Sequence, residues 1–376
     1  MRAHAAGAIA IALALLLVAC GSSTHGASAP AATTAPIGSA ATTSPTSPAA
    51  APPSTTRTYA PGTFDATDAA LDDRARAAGT GAAMVRVIAA DGSVIHEHAV
   101  GGFAGDTPIP VASSTKWLTA ATFMTFVDDG AIGLDDDVSR WLPEFAGSSP
   151  PITPRELLSG TSGVHDNPCQ NGGVALAACV QTLAAAPRQF AAGTQYSYGN
   201  SPFLVVGRLV EVLGHADFAT VVGQRLTGPL GMGSTSWPGA PDAANPAFGV
   251  RITVDDYATF LAMLLHDGTL RGVRVLSPSA VTQIVTNQVG AYDTSQDYSV
   301  GITGIPRYGL GCWIDVQDAS GRATVASGSG GTGLYPWIDF TTRTYGVVAV
   351  EDSRGAQHAV PASQQVELAA RTAVAG

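Results

Sequence analysis

The feature that most restricts this chain is a change of hydrophobic period that happens twice. Residues 83 to 100, AMVRVIAADGSVIHEHAV, read as two strand-type runs meeting at Asp91-Gly92, a dipeptide that favours a tight hairpin turn. After Pro110 the apolar residues take helical spacing at Trp117, Ala121, Met124 and Val127, until Asp128-Asp129-Gly130 ends the run, so a helix is expected from near Ser113. From about 130 to 290 helical runs alternate with Gly/Pro loops, YATFLAMLLHDG at 257 to 268 among them. Strand patterns return in YGLGCWIDV (308 to 316), TVASGSGG (324 to 331), and WIDF and YGVVAVED around a turn at Thr341 to Thr344, before a closing helix at 363 to 375. Strands at both ends with a helical block between predict an α/β (α+β) domain. Its antiparallel sheet is built from N- and C-terminal segments and flanked by helices, with a mostly helical second lobe and a site in the cleft between lobes.

The domain does not start at residue 1. MRAHAAGAIAIALALLLVAC has a basic start at Arg2, a short apolar run and small residues before Cys20, which reads as an export signal over residues 1 to 20. Leu17-Val18-Ala19-Cys20 resembles the bacterial lipobox, which implies a lipid on Cys20 and anchoring to the extracytoplasmic face of the cell membrane. Residues 21 to 57 are almost wholly Ala, Ser, Thr, Pro and Gly, too poor in apolar surface to fold, and read as a disordered tether to a domain at 58 to 376. A net charge of −10 without any basic stripe argues against nucleic acid. Cys169 and Cys179 flank CQNGGVALAAC and are expected to form a disulfide in an exported protein, leaving Cys312 as a buried thiol. No CxxC or ligand triad is present, and His96 and His98 read as one solvated strand face, so no metal and no cofactor is expected. A monomer is assumed.

Lys116 is the chain's single lysine, against 18 arginines. Lysine can work as a neutral amine once desolvated, and arginine cannot. It stands in Ser113-Ser114-Thr115-Lys116, an S-x-x-K stretch at the expected helix start, so serine and lysine share one face a turn apart. A serine hydroxyl needs a base to become a nucleophile, and such a lysine supplies one. The G-x-S-x-G layout is absent. Tyr198 and Asn200, in AGTQYSYGNSPF (192 to 203), add a phenol expected to have a lowered pKa near the amine and an amide that can orient a substrate.

On these residues the chain resembles the serine β-lactamase and D-alanyl-D-alanine peptidase superfamily, in particular its class C-like branch with related esterases, over roughly residues 65 to 370. GAIGLDDDVSRWLPEF (130 to 145), ITPRELLSGTSGVHD (152 to 166), AGTQYSYGNSPFLVVG (192 to 207) and DDYATFLAMLLHDGTLRG (255 to 272) are similar to that family's connecting segments. The resemblance implies a β-lactamase/transpeptidase-like fold with Ser113 as acylated nucleophile, Lys116 and Tyr198 as the proton-transfer pair, and Asn200 as a substrate ligand. The family's third element, Lys or His, then Thr or Ser, then Gly, falls on Gly328-Ser329-Gly330, or in a shifted register on Ala326-Ser327-Gly328; the cation is missing in both. Ser329 and Gly330 would line the substrate, and the N–H groups of Ser113 and Gly331 would form the oxyanion hole. The expected function is a serine hydrolase cleaving ester or amide bonds of a small molecule or peptide outside the cytoplasm. The missing cation also admits a second expectation, a module that binds cell-wall peptides or an envelope partner without turnover.

Overall fold

The hairpin at Asp91-Gly92 is the edge from which the sheet grows. The computed structural model describes residues 58–376; the expected export signal, Cys20 and the 21–57 tract lie outside the described residues. Strands β1 (Ala83–Ala89) and β2 (Val94–Val100) are joined by a turn with Gly92 at φ 85°, and the Asp91 side chain accepts the Ser93 N–H at 2.9 Å. The other four strands come from the C-terminal part: β3 (Trp313–Gln317), β4 (Ala323–Ser327), β5 (Tyr335–Asp339) and β6 (Thr344–Val350). Their order is β2-β1-β6-β5-β4-β3 with every pair antiparallel, so the N-terminal hairpin closes on the chain's last strand, Ala83 opposite Val350. This is the antiparallel sheet expected from the two ends of the chain.

Strand alternation sorts the core into two layers. Val85, Val87, Trp337, Val348 and Val350 face helix α1 (Asp65–Ala78) and the C-terminal helix, while Met84, Ile338, Val347 and Ala349 face the helical lobe. All seven residues of β6 are buried, as its unbroken apolar run demands of a strand covered on both faces. His96 and His98 do share a face, but that face is half-buried rather than solvated: their Nε2 atoms meet Asp68 at 2.6 Å and Asp72 at 2.9 Å on α1.

Helix α2 (Thr115–Asp128) runs through the middle of the helical lobe, buried from Thr115 to Phe126. A one-sided apolar stripe was expected; a helix enclosed all round has none. Its threonines satisfy their hydroxyls on carbonyls, Thr119 on Pro246 at 2.7 Å and Thr122 on Leu118 at 2.9 Å. Around it pack α3 (Ser201–Gly214) and α4 (Val254–Leu265), and a two-residue ladder, Ile109–Pro110 with Arg251–Ile252, stitches the entry of α2 to the far end of the lobe. The last helix, α5, spans Ala356–Ala375, seven residues longer at its start than expected. Pro361 lies inside it, and burial of Ala359 and Val360 carries the helix through the proline. Among the described residues no helix is long and apolar enough to cross a membrane.

One buried ion pair ties the outer helices to the end of the sheet. Arg74 Nη1 meets Asp352 Oδ2 at 2.7 Å with side-chain exposures of 1% and 0%. The guanidinium also donates through Nε to Ser363 Oγ at 3.1 Å, and that hydroxyl donates to the Gly333 carbonyl at 2.8 Å. Arg354, with Arg74, holds the Asp352 carboxyl well below the usual carboxylate range. Removing one partner of a buried pair strands the other's charge. Arg74→Ala is therefore expected to lower stability by about 3 kcal/mol, read as a lower urea midpoint at unchanged slope.

Candidate active site

The turn that presents Ser113 differs in detail from the expected helix start. Ala112–Ser114 form a 3-10 turn and the α-helix begins at Thr115. Ala112 holds φ 45°, a left-handed conformation that costs a non-glycine residue roughly 1 kcal/mol and is kept only where neighbours enforce it. Here Thr115 Oγ1 donates to the Ala112 carbonyl at 2.7 Å and accepts the Val250 N–H at 3.3 Å, while the Tyr257 hydroxyl on α4 donates to the Ser114 carbonyl at 2.8 Å. Ser113 remains half-exposed and Lys116 is fully enclosed.

Three oxygens surround the Lys116 amine: Ser113 Oγ at 3.0 Å, Asn200 Oδ1 at 2.7 Å and the Ala247 carbonyl at 3.2 Å. The last two are acceptors only. A neutral amine that donates to both turns its lone pair toward the serine hydroxyl, which is the geometry a general base needs. Burial pushes the amine down to about 7, against an upward pull from Asp166. The Ala247 carbonyl is aimed by a turn in which Asn245 Oδ1 accepts the N–H groups of Ala247 at 2.9 Å and Phe248 at 3.2 Å.

Tyr198 is brought to the same place: its ring centroid lies 4.9 Å from Lys116 Nζ, and its phenol interacts with the Ser113 hydroxyl. The expected lowering of its pKa is overturned. Burial, with Trp313 stacked at 5.1 Å and Tyr308 edge-on at 5.7 Å, raises the phenol above its ordinary value, so it holds its proton at neutral pH. Asn200, expected on the substrate, spends its carbonyl oxygen on Lys116, which leaves its amide N–H groups as the donors that can face a ligand.

Strand β4 ends at Ser327, and the segment after it reaches the serine turn. Ser327 Oγ is turned away, donating to Asp315 at 3.1 Å, whereas the Ser114 hydroxyl donates to the Gly328 carbonyl. A Cβ on Gly330 would lie 2.1 Å from the Val111 carbonyl oxygen, so only glycine allows this close approach. Of the two registers, Gly328-Ser329-Gly330 is thus the one that lies against the serine turn, with Gly331 next along it. Among the described residues the N–H groups of Ser113 and Gly331 have no backbone acceptor. A Cβ on Gly328 would meet Trp117 Cε3 at 2.7 Å, so the place of a cationic side chain is filled by the indole one residue beyond Lys116.

Two groups escaped the sequence reading. Asp166 Oδ1 accepts the N–H groups of Asn200 at 2.9 Å and Ser201 at 2.8 Å, and Asp297 Oδ2 accepts that of Tyr198 at 3.0 Å. Both act through backbone amides, which no side-chain motif announces; HD at the end of ITPRELLSGTSGVHD was the one available signal for the first. Cys169 and Cys179 are bonded as expected and Cys312 is a buried thiol. Among the described residues no group of His, Cys, Asp and Glu is placed to hold a metal ion.

An accessible serine hydroxyl against a desolvated lysine, on a sheet capped by a helical lobe, defines a serine hydrolase centre. The comparisons agree with that class. The family profile "Beta-lactamase" matches residues 68–371, and the chain belongs to this family. Protein Rv1367c of Mycobacterium tuberculosis is 27% identical over 293 residues, 62% of this chain and 72% of its own length. Esterase EstB of Burkholderia gladioli is 30% identical over 177 residues, 39% of this chain and 45% of EstB. A solved beta-lactamase-type structure from Bacteroides dorei DSM 17855 superimposes with TM-score 0.73 at 29% identity, covering 83% of this chain and 98% of that one.

Because Trp117 is packed where a side chain at 328 would go, Gly328→Lys is expected to overpack the core. A loss of roughly 1–3 kcal/mol should appear as a lower thermal midpoint.

Proposed function

We propose that this protein cleaves ester or amide bonds of small acyl substrates through an acyl-enzyme on Ser113. The observation that carries the reading is the Lys116 amine, 3.0 Å from Ser113 Oγ and held near neutrality by burial. Neutral Lys116 takes the hydroxyl proton as Ser113 Oγ attacks the acyl carbon. The N–H groups of Ser113 and Gly331 receive the developing oxyanion. Tyr198, still a phenol, gives its proton to the leaving group and is reprotonated from the Lys116 ammonium beside its ring; water then repeats the sequence in reverse to free the acid.

Substrate preference follows from the strand edge. Gly328-Ser329-Gly330-Gly331 carries no cation, and Trp117 occupies the space behind it, so nothing there rewards a substrate carboxylate. Uncharged esters are the substrates this edge favours over β-lactams or D-amino-acid peptides, in keeping with a relative named an esterase. The export signal and lipobox-like Leu17-Val18-Ala19-Cys20 support action outside the cytoplasm on a lipid anchor at Cys20. Incorporation of labelled palmitate into the wild type and none into Cys20→Ala tests that placement; equal labelling of both removes it.

Ser113→Ala should abolish release of nitrophenol from p-nitrophenyl butyrate while leaving the fold intact by circular dichroism. Lys116→Arg keeps the charge and loses the neutral form, so it should be nearly as inactive; turnover within tenfold of wild type would exclude the lysine as base. The pH profile has a definite sign. With the amine pushed down to about 7, kcat/KM should rise as pH increases through that value, and at pH 6 stand about tenfold below its plateau.

A further inference from the structure

Asp166 closes the segment ITPRELLSGTSGVHD but is none of the catalytic or substrate residues assigned above, and it is placed where it bears on several of them. It sits in the loop after α-helix Pro154–Ser159, three residues before the disulfide-bonded Cys169. One of its oxygens gathers the N–H groups of Asn200 and Ser201 at the start of α3, at 2.9 and 2.8 Å. These amides form the positive end of a fourteen-residue helix, so a carboxylate there is favoured both by the two bonds and by the helix dipole. The approach is close: a Cβ on Gly199 would lie 3.0 Å from Asp166 Oδ1, so a larger residue between Tyr198 and Asn200 would press on the carboxylate. Gln170 completes the setting: with its side-chain amide turned so that the NH2 group faces the carboxylate, it donates to both Asp166 oxygens at 3.0 and 3.3 Å.

The chain of contacts then runs from the carboxylate through the Asn200 backbone to Asn200 Oδ1 and the Lys116 amine. The groups that face that amine are Ser113 from the preceding turn, Tyr198, Asn200 and Phe203 from the α3 entry, and the Ala247 carbonyl. None of them carries a charge at neutral pH. Asp166 is the charged group whose field reaches Lys116, and it acts on Tyr198 as well. We propose that Asp166 is a positioning residue of this site, which holds Asn200 against Lys116 by the backbone and sets, by its charge, the pH at which the lysine gives up its proton. The proposal rests on the reading of Lys116 as base and adds to it a residue that tunes that base. Two effects are balanced: burial favours the neutral amine, and one carboxylate limits how far that goes.

The single lysine makes the test direct. Protein labelled with [13C]lysine at Cε gives one side-chain resonance, whose pH titration reports Lys116 without any need for turnover. The wild type is expected to titrate near 7. Asp166→Asn accepts the same two amide bonds without the charge, so its midpoint should fall by about one pH unit, and the acid limb of kcat/KM should move with it. Asp166→Glu restores the charge with displaced geometry, so its midpoint should return toward the wild-type value while kcat falls and KM changes little. An Asp166→Asn protein that keeps the wild-type midpoint overturns the proposal. A wild-type midpoint near 10 would instead remove Lys116 as the base, a separate failure that the same titration shows.

Discussion

The site depends on the complete removal of one amine from water. Lowering a lysine from its ordinary range to about 7 corresponds to a preference of roughly 5 kcal/mol for the neutral form, and this comes from enclosure rather than from neighbouring cations. That enclosure cannot be local. Helix α2, the α3 entry and the 245–252 segment must each close on Lys116, and bonds to their neighbours hold each in place: Thr119 to Pro246, Thr115 to Val250, and Asp166 to the Asn200 amide. A helix buried all round for twelve of its fourteen residues is an unusual use of chain, and it is what keeps water away from the base.

The sheet supplies the other half of the requirement. Its strand β4 stops at Ser327 so that the next residues can lie flush against the serine turn, where Gly330 admits a contact no side chain would allow. The same segment is held from behind by Thr332 Oγ1 on the Pro110 carbonyl at 2.8 Å and by the Arg74, Ser363 and Gly333 relay. Through Arg74 and Ser363 the outer helices thereby help to fix the position of the strand edge that would receive an oxyanion. Preorganised N–H donors work only if they need not move during the reaction, and this network is the reason they need not.

How much of this could be read from the sequence depends on how far apart the cooperating residues are. Ser113 and Lys116 are one helical turn apart, so their partnership was visible, as was the hairpin at Asp91-Gly92. The period changes gave the layered fold for the same reason, since burial on one or two faces leaves a local trace. Tyr198 and Asn200 stood out in AGTQYSYGNSPF as a phenol and an amide but took their roles from resemblance, and the sign of the tyrosine's shift was misjudged because the rings of Tyr308 and Trp313 that desolvate it lie more than a hundred residues away. Asp297 left no pattern, and Asp166 only the HD that closes ITPRELLSGTSGVHD, because a carboxylate that accepts a main-chain N–H can serve any residue type. The helix through Pro361 and the left-handed Ala112 are tertiary choices imposed against local preference.

The missing cation is best understood through Trp117. If a lysine or histidine had simply been lost, position 328 would be expected to open onto a gap; instead its Cβ direction is filled by an indole that is itself 0% exposed and packs edge-on against Phe260 at 5.8 Å. The strand edge has been repacked as apolar core. A cation placed there would have had a second consequence, because a positive charge near the Lys116 amine would depress its pKa further, beyond what burial alone achieves. With Gly328 in its place, the one charge that reaches the base is negative. The strand edge thus carries no cation for a substrate carboxylate, and under the proposed mechanism the proton affinity of Lys116 would be set by enclosure on one side and Asp166 on the other, which would suit uncharged acyl groups.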